Sequence, residues 1–274
     1  MPELPEVETW RRLADRAAVG QPIFRAEAAP DTLIMDQTPP ETLAARLAGR
    51  SVVGTGRRGK HMWLTLEPEG FLYVHFGMSG SLWHLRPGET DPSHGKLTLH
   101  LSDGTRLLYR NPRRIGKLRW AEEILTFPSV AALGPDPLLE GLSAEVLRDK
   151  FRKSKRPVKS LLLDQRFFAG VGNWIADEVL YQTGMNPFEP AQSLDTADWQ
   201  RLVDRLRDIL TFAVSVGADD TQFPDTWLFH TRWGKEADLT RQGEPIQYDT
   251  IGGRTCAWVP SRQTAKSAKH SLQS

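Results

Sequence analysis

The pattern of apolar residues changes its period near residue 130, and this change limits the folds that the chain can adopt. From about residue 22 to residue 128, short β-type runs are separated by turn residues, with Asp103-Gly104 as a hairpin signal, which favours a β-sandwich or barrel. Farther along, apolar residues from Trp199 to Ala213 form one helical stripe. The pattern predicts an α+β protein with an N-terminal β-sandwich and a helical C-terminal half.

The ends of several elements can also be predicted. Residues 5–19 are expected to form a helix because Pro5 suits a first helical turn. Asp195 or Thr196 can cap the long helix. Residues 131–142 are expected to connect the two halves, and short strands return from about residue 226. The polar, lysine-bearing end of the chain predicts a disordered tail over 264–274.

Composition excludes several classes of protein. The chain has 274 residues and a formal net charge of +1, and no apolar run approaches the roughly 18 residues of a membrane span. No signal peptide is recognisable. Cys256 is the single cysteine, which excludes an intramolecular disulfide framework and a cysteine-based zinc cage and indicates a reducing interior. No metal and no cofactor are expected.

Positive charge is concentrated in three stretches. Residues 50–61 and 105–119 carry lysine and arginine without an acid, and residues 148–159 carry seven basic residues against one acid. Together the stretches suggest a positive face for a phosphate backbone. For any one stretch, a solvated surface is the simpler explanation.

The chain opens Met1-Pro2-Glu3-Leu4-Pro5-Glu6, a segment that suits covalent catalysis. Removal of Met1, expected before a small residue, leaves Pro2 with a secondary amine that is nucleophilic near neutral pH. Attack on an aldehyde-level carbon gives an iminium, and Glu3 can move the accompanying protons. A proline-stiffened segment ahead of a helix explains the same residues equally well.

A glycine corner between two helical segments forms a candidate anion site. The sequence Gly170-Val171-Gly172-Asn173 follows one apolar helical run and precedes another. Asn173 can cap the second helix, whose N-terminus attracts anions. Basic residues upstream, Lys155 among them, favour a DNA phosphate as the anion. Glycines at such a corner also occur purely for packing.

Five motifs in order resemble the formamidopyrimidine-DNA glycosylase/endonuclease VIII family over nearly the whole chain. They are Pro2-Glu3-Leu4-Pro5-Glu6-Val7-Glu8, Arg57-Arg58-Gly59-Lys60, His75-Phe76-Gly77-Met78-Ser79-Gly80, Asn111-Pro112-Arg113-Arg114-Ile115-Gly116, and Asp164-Gln165 through the glycine corner to Glu178. The first and last motifs fit the formamidopyrimidine branch better.

The resemblance implies a role for each matching acid or base. Pro2 corresponds to the nucleophile that attacks C1′ of the damaged nucleotide, and Glu3 to the acid/base that assists sugar-ring opening. Glu6 and Glu178 match acidic positions near the active site. Residues that match DNA-binding or phosphate-binding positions are Lys60, His75, Lys155, Asn173 and Arg254.

Three further positions match residues that fill the gap left by a flipped base. Met78 and Arg113 match two of them, and the third, usually phenylalanine, is Ile115 here. An aromatic face of this kind contributes roughly 1–3 kcal/mol per stacked base. Asn111 replaces the usual first acid of its motif.

The resemblance also predicts an altered C-terminal region. The family commonly ends in a zinc finger with four cysteines, but Val259-Pro260-Ser261-Arg262 stands where Cys-Pro-x-Cys is usual, as in its zincless-finger subgroup. Six apolar residues are expected to supply the packing instead: Trp233, Ile246, Tyr248, Ile251, Ala257 and Val259. The loop over 217–226 is shorter than the lid of relatives that act well on 8-oxoguanine.

These observations predict a bifunctional DNA glycosylase and abasic-site lyase of base excision repair. Its expected domains are a catalytic β-sandwich (1–130), a helix-two-turns-helix domain (143–225) and a zincless finger (226–263). The expected partner is double-stranded DNA with oxidised bases or abasic sites, bound by a monomer in the cytoplasm or nucleoid, or in a nucleus. The alternatives are a catalytically weak lesion-binding protein and a lyase with negligible glycosylase activity.

Overall fold

A computed structural model describes residues 2–233 and 238–266, and these form two compact units. The first unit is Met1–Ala132 and the second is Leu133–Ser274. No described helix is both long enough and apolar enough to cross a membrane.

The first unit contains eight strands in two antiparallel four-stranded sheets. The strands are β1 (Ile23–Ala28), β2 (Ser51–Arg58), β3 (His61–Glu67), β4 (Phe71–His75), β5 (Ser81–Leu85), β6 (Gly95–Leu101), β7 (Arg106–Arg110) and β8 (Lys117–Ala121). One sheet has the order β1-β6-β7-β5 and the other β2-β3-β4-β8. Asp103 and Gly104 lie in the β6–β7 connection, as the hairpin signal predicts.

Both sheets contribute to one apolar core, which confirms the predicted sandwich. Met62 and Val74 come from one sheet, and Leu99 and Leu107 from the other, each at most 4% exposed. Two helices pack on the same core, α1 (Leu4–Ala18) and α2 (Pro40–Leu47). A short helix, α3 (Pro128–Ala131), ends the unit. Because α1 is amphipathic and has Pro5 in its first turn, it forms almost where the sequence predicts.

The described residues of the second unit include four α-helices. They are α4 (Ala144–Phe151), α5 (Val158–Leu162), α6 (Asn173–Thr183) and α7 (Thr196–Ser215). Asp195 caps α7 through a reciprocal capping box with Asp198. Strands β9 (Gln247–Ile251) and β10 (Arg254–Trp258) form an antiparallel hairpin.

The hairpin and the segment after it pack largely as predicted, with two differences. Ile246, Ala257 and Val259 form an apolar cluster to which Tyr181 of α6 and Leu228 also belong. Trp233, in contrast, is 55% exposed. The residues just after the hairpin are also not free: Gln263 is buried and donates to the Met185 carbonyl, and Lys266 pairs with Asp195 and Asp198. The predicted disordered tail therefore cannot begin at residue 264, and 267–274 lie outside the described residues.

Asn111 holds together two loops that leave the sandwich. Its Nδ2 donates to the Phe76 carbonyl at 2.9 Å and to the Tyr109 hydroxyl at 2.7 Å, and the side chain is fully buried. A Cβ at Gly116 would lie 2.2 Å from this nitrogen, so only glycine fits there. The residue that departs from the family motif thus has a packing role, which the sequence did not indicate.

We expect Asn111→Ala to destabilise the first unit by roughly 2 kcal/mol, because two hydrogen bonds from a buried side chain are lost. Urea unfolding of the purified variant measures this cost. Asn186→Ala, which removes only a local turn contact in the second unit, is the control and should cost much less. Equal stabilities for the two variants would show that Asn111 does not hold the loops.

Candidate functional site

Pro2 and Glu3 lie immediately before helix α1, which their neighbours hold in place. Glu3 is the N-cap of α1 and is 2% exposed. Its backbone N–H donates to Glu6 Oε2 at 2.8 Å, and its carboxylate accepts from the Glu6 backbone. This reciprocal pair of hydrogen bonds fixes the backbone that directly follows Pro2.

Glu6 is an acid whose charge can change at neutral pH. Burial raises its pKa to about 7, and the nearby charge of Glu3 acts in the same direction. A carboxyl group with this pKa can both donate and accept a proton near pH 7. The structure thus places a nucleophile candidate, a buried acid and a proton-exchanging acid within five consecutive residues.

Lys60 lies in the tight turn between β2 and β3, and a buried ion pair supports that turn. Arg57 is 4% exposed, and its Nε lies 3.0 Å from Glu8 Oε2 of α1. The Arg57 Nη1 also donates to the Gly59 carbonyl at 2.9 Å. Because Glu8 belongs to α1, the same helix positions both the Pro2 segment and the turn that carries Lys60.

His75, at the end of β4, is a neutral hydrogen-bond donor. Burial, and to a smaller extent the Lys60 charge, lower its pKa to about 4. The Gly77 backbone N–H donates to its Nδ1 at 3.3 Å, so the ring proton is on Nε2. His61 stacks on this ring with centroids 4.8 Å apart and is itself hydrogen-bonded to the Tyr73 hydroxyl.

Two adjacent loops present the three gap-filling candidates. Met78 and Ile115 are 40% and 43% exposed despite being apolar, and Arg113 is exposed as well. A Cβ at Gly77 would lie 2.5 Å from the Ile115 carbonyl oxygen, and the Arg113 N–H donates to Ser79 Oγ, so the loops pack against each other. The fold therefore brings these candidates to one exposed place on the first unit.

In the second unit, Gln165 organises the glycine corner before α6. Its side chain donates to the carbonyls of Leu163 and Val171 and accepts from the Gly170 N–H. The prediction that Asn173 caps this helix is wrong. Gly172 is the N-cap, and Asn173 is the first residue of the helix. Its Oδ1 is buried without a hydrogen-bond partner among the described residues.

Glu178, one turn farther along α6, is fully buried. Its Oε2 accepts from the Phe229 N–H at 2.8 Å and its Oε1 from Gln182 Nε2 at 2.6 Å. Burial raises its pKa to about 7, although these donors favour the charged form. Like Glu6, Glu178 can exchange a proton near neutral pH.

The short loop after α7 is tied to an aromatic cluster. Asp219 accepts from Thr221 and Gln222 to form a compact turn. Phe223 is 4% exposed and its ring lies 4.9–5.8 Å from those of Trp174, Trp227 and Phe229. These contacts leave the loop little freedom to extend.

The predicted positive face is smaller than the sequence suggests. Lys159 and Arg57 are buried, and both are paired with acids. Five more cations form ion pairs with aspartates: Arg106, Arg114, Lys117, Arg119 and Arg156. Lys155 and Arg254 are exposed, and the sequence offered no local signal to separate them from the paired residues.

The described part of the finger has no group of side chains suited to a zinc ion. Nowhere in residues 2–233 and 238–266 do three or more His, Cys, Asp or Glu side chains form a group able to hold a metal ion. Cys256 is fully buried, and burial raises the pKa of its thiol to about 12, which disfavours the thiolate that binds metal. The described residues of the finger therefore do not fit a zinc ion.

The pKa of Glu178 predicts a pH-dependent stability. A carboxyl whose pKa rises from 4.5 to about 7 on folding stabilises the fold at low pH, and this contribution of roughly 3 kcal/mol is lost as pH rises to 7. Glu178→Gln should match the wild type near pH 5 and be more stable at pH 8, since Gln182 can rotate its amide to accept. Urea unfolding across this range measures the difference.

Glu145→Gln, which changes an exposed glutamate of α4, is the control and should follow the wild type at every pH. A Glu178→Gln variant that runs parallel to the wild type from pH 5 to 8 would contradict the raised pKa.

Comparison with known proteins agrees with both units. Residues 1–118 match the model of the formamidopyrimidine-DNA glycosylase N-terminal domain, and residues 133–225 match that of its H2TH domain. A formamidopyrimidine-DNA glycosylase of Arabidopsis thaliana is 35% identical, covering 96% of this chain and 71% of the relative. One from Parasynechococcus marenigrum is 34% identical, covering 96% and 100%.

Solved structures give the same result. A Lactococcus lactis formamidopyrimidine-DNA glycosylase bound non-covalently to DNA with an abasic site has a TM-score of 0.83 and 28% identity, covering 96% of this chain and 99% of its own. The same protein with DNA containing an N7-benzyl-formamidopyrimidine lesion has a TM-score of 0.81 and 29% identity, covering 96% and 100%. The chain belongs to the formamidopyrimidine-DNA glycosylase family of DNA repair enzymes.

Proposed function

We propose that this enzyme removes oxidised bases from double-stranded DNA through a Schiff base at Pro2 and then cleaves the strand by β,δ-elimination. The observation that carries the proposal is the geometry at Pro2. A secondary amine, available once Met1 is removed, precedes the buried Glu3, and Glu6 adds an acid with a pKa of about 7.

The proposed reaction begins when the Pro2 nitrogen attacks C1′, the bond from C1′ to the base breaks, and the proton that the amine loses passes to the departing base. Glu3 protonates O4′ as the sugar ring opens, which leaves an iminium between Pro2 and C1′. Loss of a C2′ proton expels the 3′ phosphate, and loss of the C4′ proton then expels the 5′ phosphate. Water then hydrolyses the iminium and frees the amine. Glu6 is suited to pass protons to and from this site at neutral pH.

Residues in both units are proposed to hold the DNA. In the first unit, Lys60 supplies a charge and His75 a neutral Nε2–H donor for a phosphate. In the second unit, Lys155, Asn173 and Arg254 are proposed to bind the backbone, with Asn173 at the positive end of α6. Met78, Arg113 and Ile115 are proposed to fill the gap left by the flipped base. Glu178 is proposed as an active-site acid.

A catalytically weak lesion-binding protein is the second candidate, and the site argues against it. A protein that only binds DNA needs neither the Pro2-Glu3 pair nor an acid with a pKa near 7, yet both occur here. A lyase with negligible glycosylase activity is compatible with the same residues, because the short loop bears on base capture and not on chemistry at C1′. Base-release assays separate these possibilities.

Borohydride should trap the protein covalently on abasic-site DNA, because the iminium is reducible. Pro2→Gly should lower the yield strongly. Glu3→Gln should slow base excision more than cleavage of preformed abasic sites. The acid is proposed to assist the ring opening that accompanies base release, and a preformed abasic site has already lost its base. Gel quantification of adduct and product measures both effects.

Pro128→Gly, which changes the proline that begins helix α3, is the control and should trap like the wild type. Intact mass must first show that Met1 is absent. Full trapping by protein that retains Met1, in which residue 2 has no free amine, would overturn the assignment.

Substrate preference should follow how easily each lesion leaves the helix. The loop at 217–226 is compact and is tied down by Phe223, and Ile115 offers no aromatic face, so an everted intact purine gains little support. Hydantoins and ring-opened formamidopyrimidines pair and stack poorly and are easier to extrude. Single-turnover rates should therefore be higher for abasic sites, hydantoins and formamidopyrimidines than for 8-oxoguanine.

The control is cleavage of a preformed abasic site in the same sequence context. Its rate should be the same whichever base lies opposite the site. If 8-oxoguanine opposite cytosine is excised as fast as a hydantoin, other residues hold the purine and the argument from the short loop is wrong.

A further inference from the structure

The finger hairpin needs support from outside itself. Its strands β9 and β10 have five residues each, and they are joined by Gly252 and Gly253, both with positive φ. An isolated two-stranded hairpin is marginally stable in water. Because the described residues also provide no metal site, the contacts of the hairpin with helices α5 and α6 must fix its position.

Asp177 of α6 is the centre of a buried charged cluster beside the hairpin. The carboxyl is 1% exposed, with Oδ1 2.5 Å from Lys159 Nζ and Oδ2 2.6 Å from an Arg232 Nη2. Oδ2 also accepts from the backbone N–H of Ala257 in β10 at 3.3 Å. Lys159 Nζ in turn donates to the carbonyl of Thr255 at 2.9 Å. Two residues of one finger strand are thus bonded to this cluster.

The buried charges of the cluster must stay close to one another, which restricts its geometry. Lys159 and Arg232 are 0% and 6% exposed, so each buried cation depends on the Asp177 carboxylate. A buried ion pair adds little net stability over apolar packing, but removal of one partner leaves an uncompensated charge. The cluster therefore specifies one arrangement of helix and hairpin more than it strengthens the fold.

This arrangement places the finger arginine relative to the glycine corner. Arg254 directly precedes Thr255, whose carbonyl Lys159 holds. At the hairpin tip, a Cβ on Gly252 would lie 3.8 Å from side-chain atoms of Ser160 and Leu163. Asp177 lies one helical turn after Asn173, the first residue of α6. The same helix thus carries one phosphate-binding candidate and anchors the strand that carries the other.

We propose that Asp177 is a positioning residue for DNA binding: through Lys159 and the Ala257 N–H, it holds Arg254 at the place where a phosphate beside the lesion binds. The inference rests on the proposed function, since it assigns Arg254 to the DNA. It gives the finger a substitute for a metal, made from one carboxylate and two cations.

The test is the affinity for a duplex that contains a tetrahydrofuran abasic analogue, measured over a range of salt concentrations. Asp177→Asn should raise the Kd about tenfold, the effect of losing a charge-assisted contact. It should also reduce the slope of log Kd against log salt by about 1, as expected for one phosphate contact. Asp204→Asn, which breaks an exposed Asp–Arg pair on α7, is the matched control and should leave both values unchanged.

A double-mutant cycle separates positioning from general destabilisation. In the wild type, Arg254→Ala should raise the Kd about tenfold, but in the Asp177→Asn background it should add less than about twofold. If Asp177→Asn is unfolded at the assay temperature, Lys159→Met replaces it in the cycle with the same expectations, because it removes the Thr255 contact and leaves a neutral Asp177–Arg232 pair.

A full additive effect of Arg254→Ala in a folded variant background, with an unchanged salt slope, would overturn the positioning role. Borohydride trapping of the wild type on abasic DNA is measured in parallel. Loss of trapping in the wild type refutes the proposed function, whereas normal trapping with additive binding effects refutes only the role of Asp177.

Discussion

The reciprocal hydrogen bonds between Glu3 and Glu6 are the interaction on which the proposed chemistry depends. They begin helix α1, so the position of Pro2 is set by a helix that packs on the sandwich core. Burial, together with the nearby charge of Glu3, raises the pKa of Glu6 to about 7, although the hydrogen bond from the Glu3 backbone N–H acts in the opposite direction. Glu8, one turn along the helix, pairs with Arg57 and supports the turn of Lys60. One amphipathic helix thereby positions a nucleophile candidate, two acids and a phosphate-binding candidate.

Much of this could be predicted from the sequence because the signals are local. The short alternating strands, the Asp103-Gly104 turn, the start of α1 and the Asp195 cap of α7 each depend on residues close together in the chain. The candidate site was located through ordered motifs, whose glycines and prolines determine the backbone.

What could not be predicted depends on pairs of residues distant in sequence. Lys159 was expected on a positive face, but Asp177 and the Thr255 carbonyl hold it in the interior. Asn173 was expected as a cap, but Gly172 adopts the extended backbone that precedes the helix and takes that position. Asn111 was seen only as a departure from a motif, because its acceptors, Phe76 and Tyr109, could be recognised only in the folded sandwich. The chain has 35 lysines and arginines and 34 aspartates and glutamates, so an acid is available for nearly every cation, and sequence alone does not show which ones are paired.

The most direct test of the account is to locate the covalent bond to DNA. Protein trapped with borohydride on abasic DNA is digested with nuclease and trypsin, and the modified peptide is sequenced by mass spectrometry. The account predicts the sugar remnant on the nitrogen of Pro2, in the peptide 2–11. A remnant on Lys60 or another lysine, with Pro2 unmodified, would contradict it.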